Sequence, residues 1–310
     1  MFKNTTSQSN STLNMPIDNP EAPTLKKWLV LIFLALIWGS SFILIKKGLV
    51  VFSPPQTAAV RIVAAFCTLG AFSYISLKKV PRSKWGYLFI SGMIGTFIPA
   101  FLFAYAQTRL ESALAGVLNS LTPVFTFLVG WLFFSLRLRI KAMLGLLLGF
   151  LGAISLILMG KELGTLDPNP YGLLVILAAI LYGCNLNFVK HYLKDLKALH
   201  ISSLVMLFIS PLALATFFIE GVPQTIQTNP ASGWALAALV GLGVLSTGVA
   251  TIFFNRLLLI SSPVFASSVT YLIPIVAIFW GLIDGEQLIL GHYLSMGIII
   301  IGVWMVNSSK

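Results

Sequence analysis

The sequence predicts an all-α polytopic membrane protein, with ten transmembrane helices arranged as two inverted five-helix repeats. Three observations predict it. Of 310 residues, 57% are hydrophobic and only 9% charged, against about 25% charged in soluble domains, too few to cover a globule of this size. The apolar residues come in blocks such as 28–45, 144–159 and 264–283, and roughly 20 such residues carry a helix across a hydrocarbon core of about 30 Å. Finally, ALIWGSSFILIK at 35–46 returns as AILYGCNLNFVK at 179–190.

Ten runs have spanning length, at about 28–46, 56–77, 86–107, 112–135, 142–160, 172–190, 201–219, 234–255, 264–283 and 291–307. Short connections separate them, several carrying helix breakers: Ser53-Pro54-Pro55, Lys79-Val80-Pro81, Asp167-Pro168-Asn169-Pro170 and Asn229-Pro230. The first 25 residues are rich in Ser, Thr and Asn and lack the apolar core of a signal peptide. They read as part of a disordered cytoplasmic tail over 1–27. The two repeats are expected over 28–160 and 161–310.

The net charge of +11 has a topological origin. With the amino terminus in the cytoplasm, fifteen of the twenty Lys and Arg fall on the inner side and four (Lys46, Lys47, Arg109, Lys161) on the outer. That is the positive-inside bias, with both termini cytoplasmic. The basic residues form no stripe along one face, so nucleic acid is not a partner. Cys67 and Cys184 lie inside apolar runs without metal-ligand spacing and read as packing residues; no metal or cofactor is expected.

The repeat has more than one register mark. Lys46 answers to Lys190 at an offset of 144, while Gly92 and Gly243, Thr96 and Thr247, and Pro123 and Pro274 share an offset of 151. The drift implies a longer connection in the second half. Five crossings per half is odd, so the second half enters the bilayer inverted. The loop at 78–84 carries four cations, and its counterpart at 220–233 carries none. Two halves related by an in-plane pseudo-twofold provide a direct route to alternating access, and hence to transport.

Candidate site residues follow from polarity at depth. Arg61 is the only charge more than one turn inside a run; such a charge costs at least about 2.5 kcal/mol on insertion scales and defaults to a functional role. The plain alternative is snorkelling to the outer interface. Pro123 and Pro274 each free a backbone carbonyl, which in lipid must face protein or a wet cavity. Asn119, Asn185, Thr247 and Tyr271 are polar groups beside those prolines or on equivalent helices, and Trp38 and Tyr182 are equivalent aromatics. With Ser41, Arg61, Pro123 and Pro274 they form the expected substrate cavity. Hydrogen-bonded glue and packing are the competing roles. Gly145, Gly149, Gly152, Gly297 and Gly302 are read as close-approach scaffold. Lys46 and Lys190 are interfacial anchors or gates, and Glu286 and Asp284 are the only reasonable proton candidates.

These residues resemble the drug/metabolite transporter superfamily, specifically its EamA-type exporters of ten helices. The resemblance rests on W-G-S-S-F followed by a lysine in the first run, V-R-I-V around Arg61 and L-T-P-V-F in the fourth run. It continues with L-I-P-I-V followed by D-G-E in the ninth, and with the glycine-spaced closing runs G-L-L-L-G-F-L-G and G-I-I-I-I-G. It covers about residues 28–307 in two copies. It implies a bundle around a central cavity that exports small metabolites, often amino acids, from the bacterial inner membrane. One departure stands out. The family pattern places a glutamate after the fourth run, where this chain has Phe134-Ser135-Leu136, and only Glu286 keeps it.

Energy coupling reads as facilitation or exchange along the substrate gradient, since no Asp or Glu lies mid-run and no phosphate-binding loop exists for ATP. An intramembrane enzyme would need a nucleophile with its base or a buried acid pair, and a channel would need a charged or carbonyl-rich filter. Neither pattern is found. The expected partners are a small-molecule metabolite and the lipid bilayer, with the chain a monomer or weak homo-oligomer.

Overall fold

The computed structural model describes residues 25–134, 140–159 and 167–308. Most of the expected tail, up to residue 24, lies outside them. So do Ser135 and Leu136, where the second glutamate is missing, and Lys3, Arg137, Arg139, Lys161 and Lys310 of the charge count.

The described chain is helical, as predicted. Nine helices are long and apolar enough to cross a membrane among the described residues: α1 Leu25–Leu49, α2 Pro54–Lys79, α3 Arg82–Ala106, α4 Ser112–Phe133, α5 Ile140–Leu158, α6 Gly172–Tyr192, α7 Ala198–Ile219, α8 Ser232–Leu259 and α9 Pro263–Ile283. A shorter apolar helix, α10 Leu290–Asn307, completes ten. The breakers act where expected. Ser53 caps α2: its side chain accepts from Gln56 N at 3.3 Å, and the Gln56 amide oxygen accepts from Ser53 N at 3.0 Å. Pro54 and Pro55 occupy the first turn, where a missing N–H costs nothing.

Polar contacts sort the helix ends into two groups. At one end, Lys46 near the finish of α1 bonds Glu111 before α4 and Glu286 before α10, and Gln56 at the start of α2 donates to Glu220 O after α7. At the other, Ser76 near the finish of α2 meets His200 at the start of α7, and Lys84 in α3 donates to Tyr192 O ending α6. Hence α1 finishes at the Glu286 end and α6 at the His200 end. The two halves run oppositely.

The connection between α7 and α8 contains a short helix, Val222–Thr228, where the sequence predicts only a connection. Its seven residues equal the drift in repeat offset from 144 to 151. It docks through Thr225 Oγ1, which accepts from Gln56 Nε2 at 2.8 Å.

Four spans depart from regular α-helix. In α3 and α8 the ladder widens over Met93–Phe97 and Leu242–Val249. Ile98 N there donates to Met93 O, and Ala250 N to Leu245 O, five residues back in each case. Within α4 regular helix stops after Asn119 and resumes at Thr122. α9 carries a tighter turn over Ser268–Tyr271. Pro123 and Pro274 each sit in the first turn of the resumed segment. α4 is the most enclosed span, while α2 packs along α7 and α5 along α10.

Candidate functional site

Glycines bring the halves together at equivalent places. A Cβ on Gly39 would collide with Val276 and Ile273 O of α9. One on Gly183 would lie 2.7 Å from Thr126 N and 2.8 Å from the Phe125 carbonyl carbon of α4. Those contacts map onto each other by the two offsets. Likewise Gly92 meets Val205 and Ile209 of α7, and Gly243 meets Arg61 O and Ala64 of α2. The repeat is therefore a symmetry of packing as well as of sequence.

Between these contacts lies a cavity of about 140 Å³. Its lining comes in pairs: Trp38 and Tyr182, Ser41 and Asn185, Arg61 and Val205, Gly95 and Ser246, Thr96 and Thr247, Phe103 and Phe254, Asn119 and Thr270. The aromatics pair across the halves. Trp38 meets Phe254 edge-on at 4.8 Å between ring centroids, and Tyr182 stacks on Phe103 at 6.1 Å. Phe254 lies toward the His200 end of α8 and Phe103 toward the Glu286 end of α3, so each aromatic pair flanks one side of the cavity. Equivalent polar contacts add to this. The Ser41 and Ser246 hydroxyls are hydrogen-bonded to each other at 2.8 Å, and Ser91 Oγ donates to Asn185 Oδ1 at 2.7 Å.

Of the ten positions the sequence nominated for the cavity, Trp38, Ser41, Arg61, Asn119, Tyr182, Asn185 and Thr247 line it. Pro123, Tyr271 and Pro274 do not. The carbonyl that Pro123 frees, Asn119 O, accepts the Thr122 hydroxyl at 2.8 Å and is satisfied within its own helix. Tyr271 turns away to donate to Val303 O of α10 at 2.7 Å. Phe103 and Phe254 were missed, although the offset of 151 pairs them. Among the other polar residues at depth, Asn187 Nδ2 donates to Thr126 O and Gly183 O, both at 2.9 Å, which is interhelical glue.

Arg61 is the one charged residue among those lining the cavity. Its Nε donates to Thr247 Oγ1 at 2.6 Å, on the widened segment of α8. It reaches inward across the halves and does not snorkel to the interface.

Charges gather at the Glu286 end, one residue from the cavity-lining Ile45. Lys46 Nζ lies 3.0 Å from Glu111, 3.1 Å from Asp284 and 2.9 Å from Glu286. Lys47 pairs with Asp284. The Glu286 side chain is fully enclosed and caps α4: Ser112 N donates to it at 2.8 Å, Ser112 Oγ at 2.6 Å and Ala113 N at 3.0 Å. Burial alone raises its pKa, but the Lys46 ammonium, the Ser112 hydroxyl and the two backbone N–H groups outweigh burial and hold it below the usual carboxylate value. Asp284 is lowered likewise, with burial opposed by Lys47 and Lys46. At the other end Lys190 caps α8 by donating to the carbonyls of Leu258 at 3.2 Å, Leu259 at 2.8 Å and Ser261 at 2.7 Å. The two equivalent lysines thus close opposite ends by different chemistry, as expected where only one half keeps the acid.

With this geometry in place, the model of the EamA-like transporter family matches the chain twice, over residues 26–158 and 170–308. The chain belongs to that family. Similar proteins include the inner membrane transporter YedA of Escherichia coli, 26% identical over 89% of each chain. Another is a probable amino-acid metabolite efflux pump of Salmonella typhimurium, 27% identical over 63% of this chain and 67% of the pump. A solved crystal structure shares the fold, with a TM-score of 0.61 at 18% identity over 90% of this chain and 96% of that one. This EamA-like chain is therefore a polytopic membrane transporter.

Proposed function

We infer that this transporter exports small metabolites from the cytoplasm by alternating access, with the paired cavity as its binding site. The observation that carries this reading is the pairing itself. One cavity is walled by equivalent residues of two oppositely running halves, so an exchange of conformations between the halves turns its opening from one side to the other. Opening toward the Glu286 end separates Lys46 from its acids and Phe103 from Tyr182. Opening toward the His200 end parts Trp38 from Phe254 and releases Lys190 from the end of α8. Trp38, Ser41, Asn119, Tyr182, Asn185 and Thr247 contact the cargo, and Pro123 and Pro274 set the breaks about which α4 and α9 bend.

The name of the Salmonella relative makes amino acids and their metabolites the first cargo panel, and the small volume favours compact members of it. The name of the E. coli relative supports placement in the bacterial inner membrane. Cytoplasmic termini follow from the positive-inside bias, which puts the His200 end inside. Transport without bond chemistry, driven by the cargo gradient, accords with a cavity lined, among the described residues, by neither carboxylate nor imidazole. Efflux from proteoliposomes loaded with the panel tests this. Saturable, protein-dependent release of at least one compound supports the reading, whereas unsaturable voltage-driven ion current would replace it with a channel.

A further inference from the structure

The cavity's charge is unbalanced. Arg61 brings one positive charge, and no aspartate or glutamate is among the lining residues. Its Nε is committed to Thr247, and its two terminal nitrogens have no acceptor among the described residues. Thr247 thereby fixes the plane of the guanidinium and leaves the outer edge of the fork free. That edge matches a carboxylate through two parallel hydrogen bonds.

A neighbouring amide leans the same way. Asn185 receives the Ser91 hydroxyl on its oxygen at 2.7 Å, which leaves its amide nitrogen as an uncommitted donor toward the cavity. Many of the hydroxyls are spent. Ser41 and Thr251 donate to Ile37 O and Thr247 O, and Thr122 and Thr270 to Asn119 O and Ser267 O. Asn255 commits its nitrogen to Ser202. Phe42, Ile45, Leu186, Val205 and Ile273 add apolar wall.

From this we propose that the cargo is a compact organic anion of net charge −1, whose carboxylate docks on the terminal nitrogens of Arg61. The proposal rests on the transporter reading above and narrows it. In a low-dielectric cavity a monoanion cancels the guanidinium charge. A zwitterion would pair its carboxylate but bury an ammonium with no acid to receive it, and a neutral amide would leave Arg61 uncompensated. Within the amino-acid panel, 2-hydroxy or 2-oxo acids and N-acylated amino acids fit this balance, and free amino acids do not.

The test uses the full chain in proteoliposomes at neutral pH. The vesicles are loaded with matched sets of short 2-hydroxy acids, their amides and the corresponding 2-amino acids, and protein-free vesicles correct for leakage. The acids should leave faster than either analogue by about tenfold or more, the discrimination expected of charge-assisted hydrogen bonds. Arg61→Gln should erase that preference, while Arg61→Lys, which keeps the charge without the fork, should retain part of it. Amides or amino acids leaving as fast as the acids would overturn the proposal while the exporter reading stands, because cargo still moves. Preference for the acids surviving in Arg61→Gln would overturn the role of Arg61. A panel from which nothing leaves would overturn both readings. The comparison within the unaltered protein needs no variant to fold.

Discussion

At Glu286 a fully enclosed carboxylate faces the Lys46 ammonium, the Ser112 hydroxyl and two backbone N–H groups at the start of α4. Each of these stabilises the charged form only, and their sum exceeds the desolvation cost, which is why the pKa falls. A lowered folded pKa means that the carboxylate contributes its full stabilisation above the ordinary value of about 4. The contribution fades as pH drops through the lowered value. Thermal unfolding in detergent should therefore lose ground on acidification below about pH 4. Glu286→Gln should cost about 2–3 kcal/mol at neutral pH, since it leaves Lys46 partly uncompensated, and should flatten the acid limb. An unchanged pH profile in the variant would assign that limb to other carboxyls. A second test concerns the break in α4. Thr122→Val removes the hydroxyl that satisfies Asn119 O, and an orphaned buried carbonyl costs about 1–3 kcal/mol. A neutral Thr122→Val in the same melt would mean that Asn119 O already has another donor.

For the elements, small residues decide where helices touch, and contact is not legible from spacing alone. The glycines of α5 and α10 read as one close-approach stripe, but only some of them serve it. A Cβ on Gly302 would run into Gly145 O and lie 3.0 Å from Gly149 Cα, and one on Gly152 would lie 2.9 Å from Ile299 N. Gly297 has nothing within 4 Å, so its place in that stripe is corrected. Gly297 and Gly302 sit five residues apart in an apolar run, and nothing in the run says which faces the partner. Gly302→Ala must push backbone against backbone and should cost about 1–3 kcal/mol. Gly297→Ala, in the same helix, should be neutral or slightly stabilising by helix propensity. Equal melting shifts for the two would refute the α5–α10 packing. The widened segments of α3 and α8 were equally hidden. Pro99 follows the first, whereas the equivalent position of the second is Ala250, so no breaker marks both. Tyr271 failed as a cavity residue for the same reason: polarity at depth says that a partner exists, not whether it is cargo or the carbonyl of a neighbouring helix.

On the scale of the whole molecule the duplication was the most legible feature, because it wrote itself into positions that cannot change without moving backbone. Gly39 and Gly183 seat two helices against two others, and the family model independently matches both halves. The helix ends show the halves running oppositely, so Gln224 in the connecting helix and Asp195 after α6, both exposed, belong to opposite ends. In the orientation proposed from the charge bias, Asp195 lies inside among lysines and Gln224 outside in a connection free of them. Replacing Cys67 and Cys184 with serine leaves a background for single probes. Gln224→Cys should then react with a membrane-impermeant maleimide on intact cells. Asp195→Cys should react only after the membrane is opened. The reversed pattern would keep the inverted repeat and exchange inside for outside, turning the Lys46 cluster toward the cytoplasm. Reaction of both from one side would place the ends of α6 and α7 on a common face. That is incompatible with Gln56 reaching Glu220 O at one end while Ser76 reaches His200 at the other, and the alternating-access reading would fall with it.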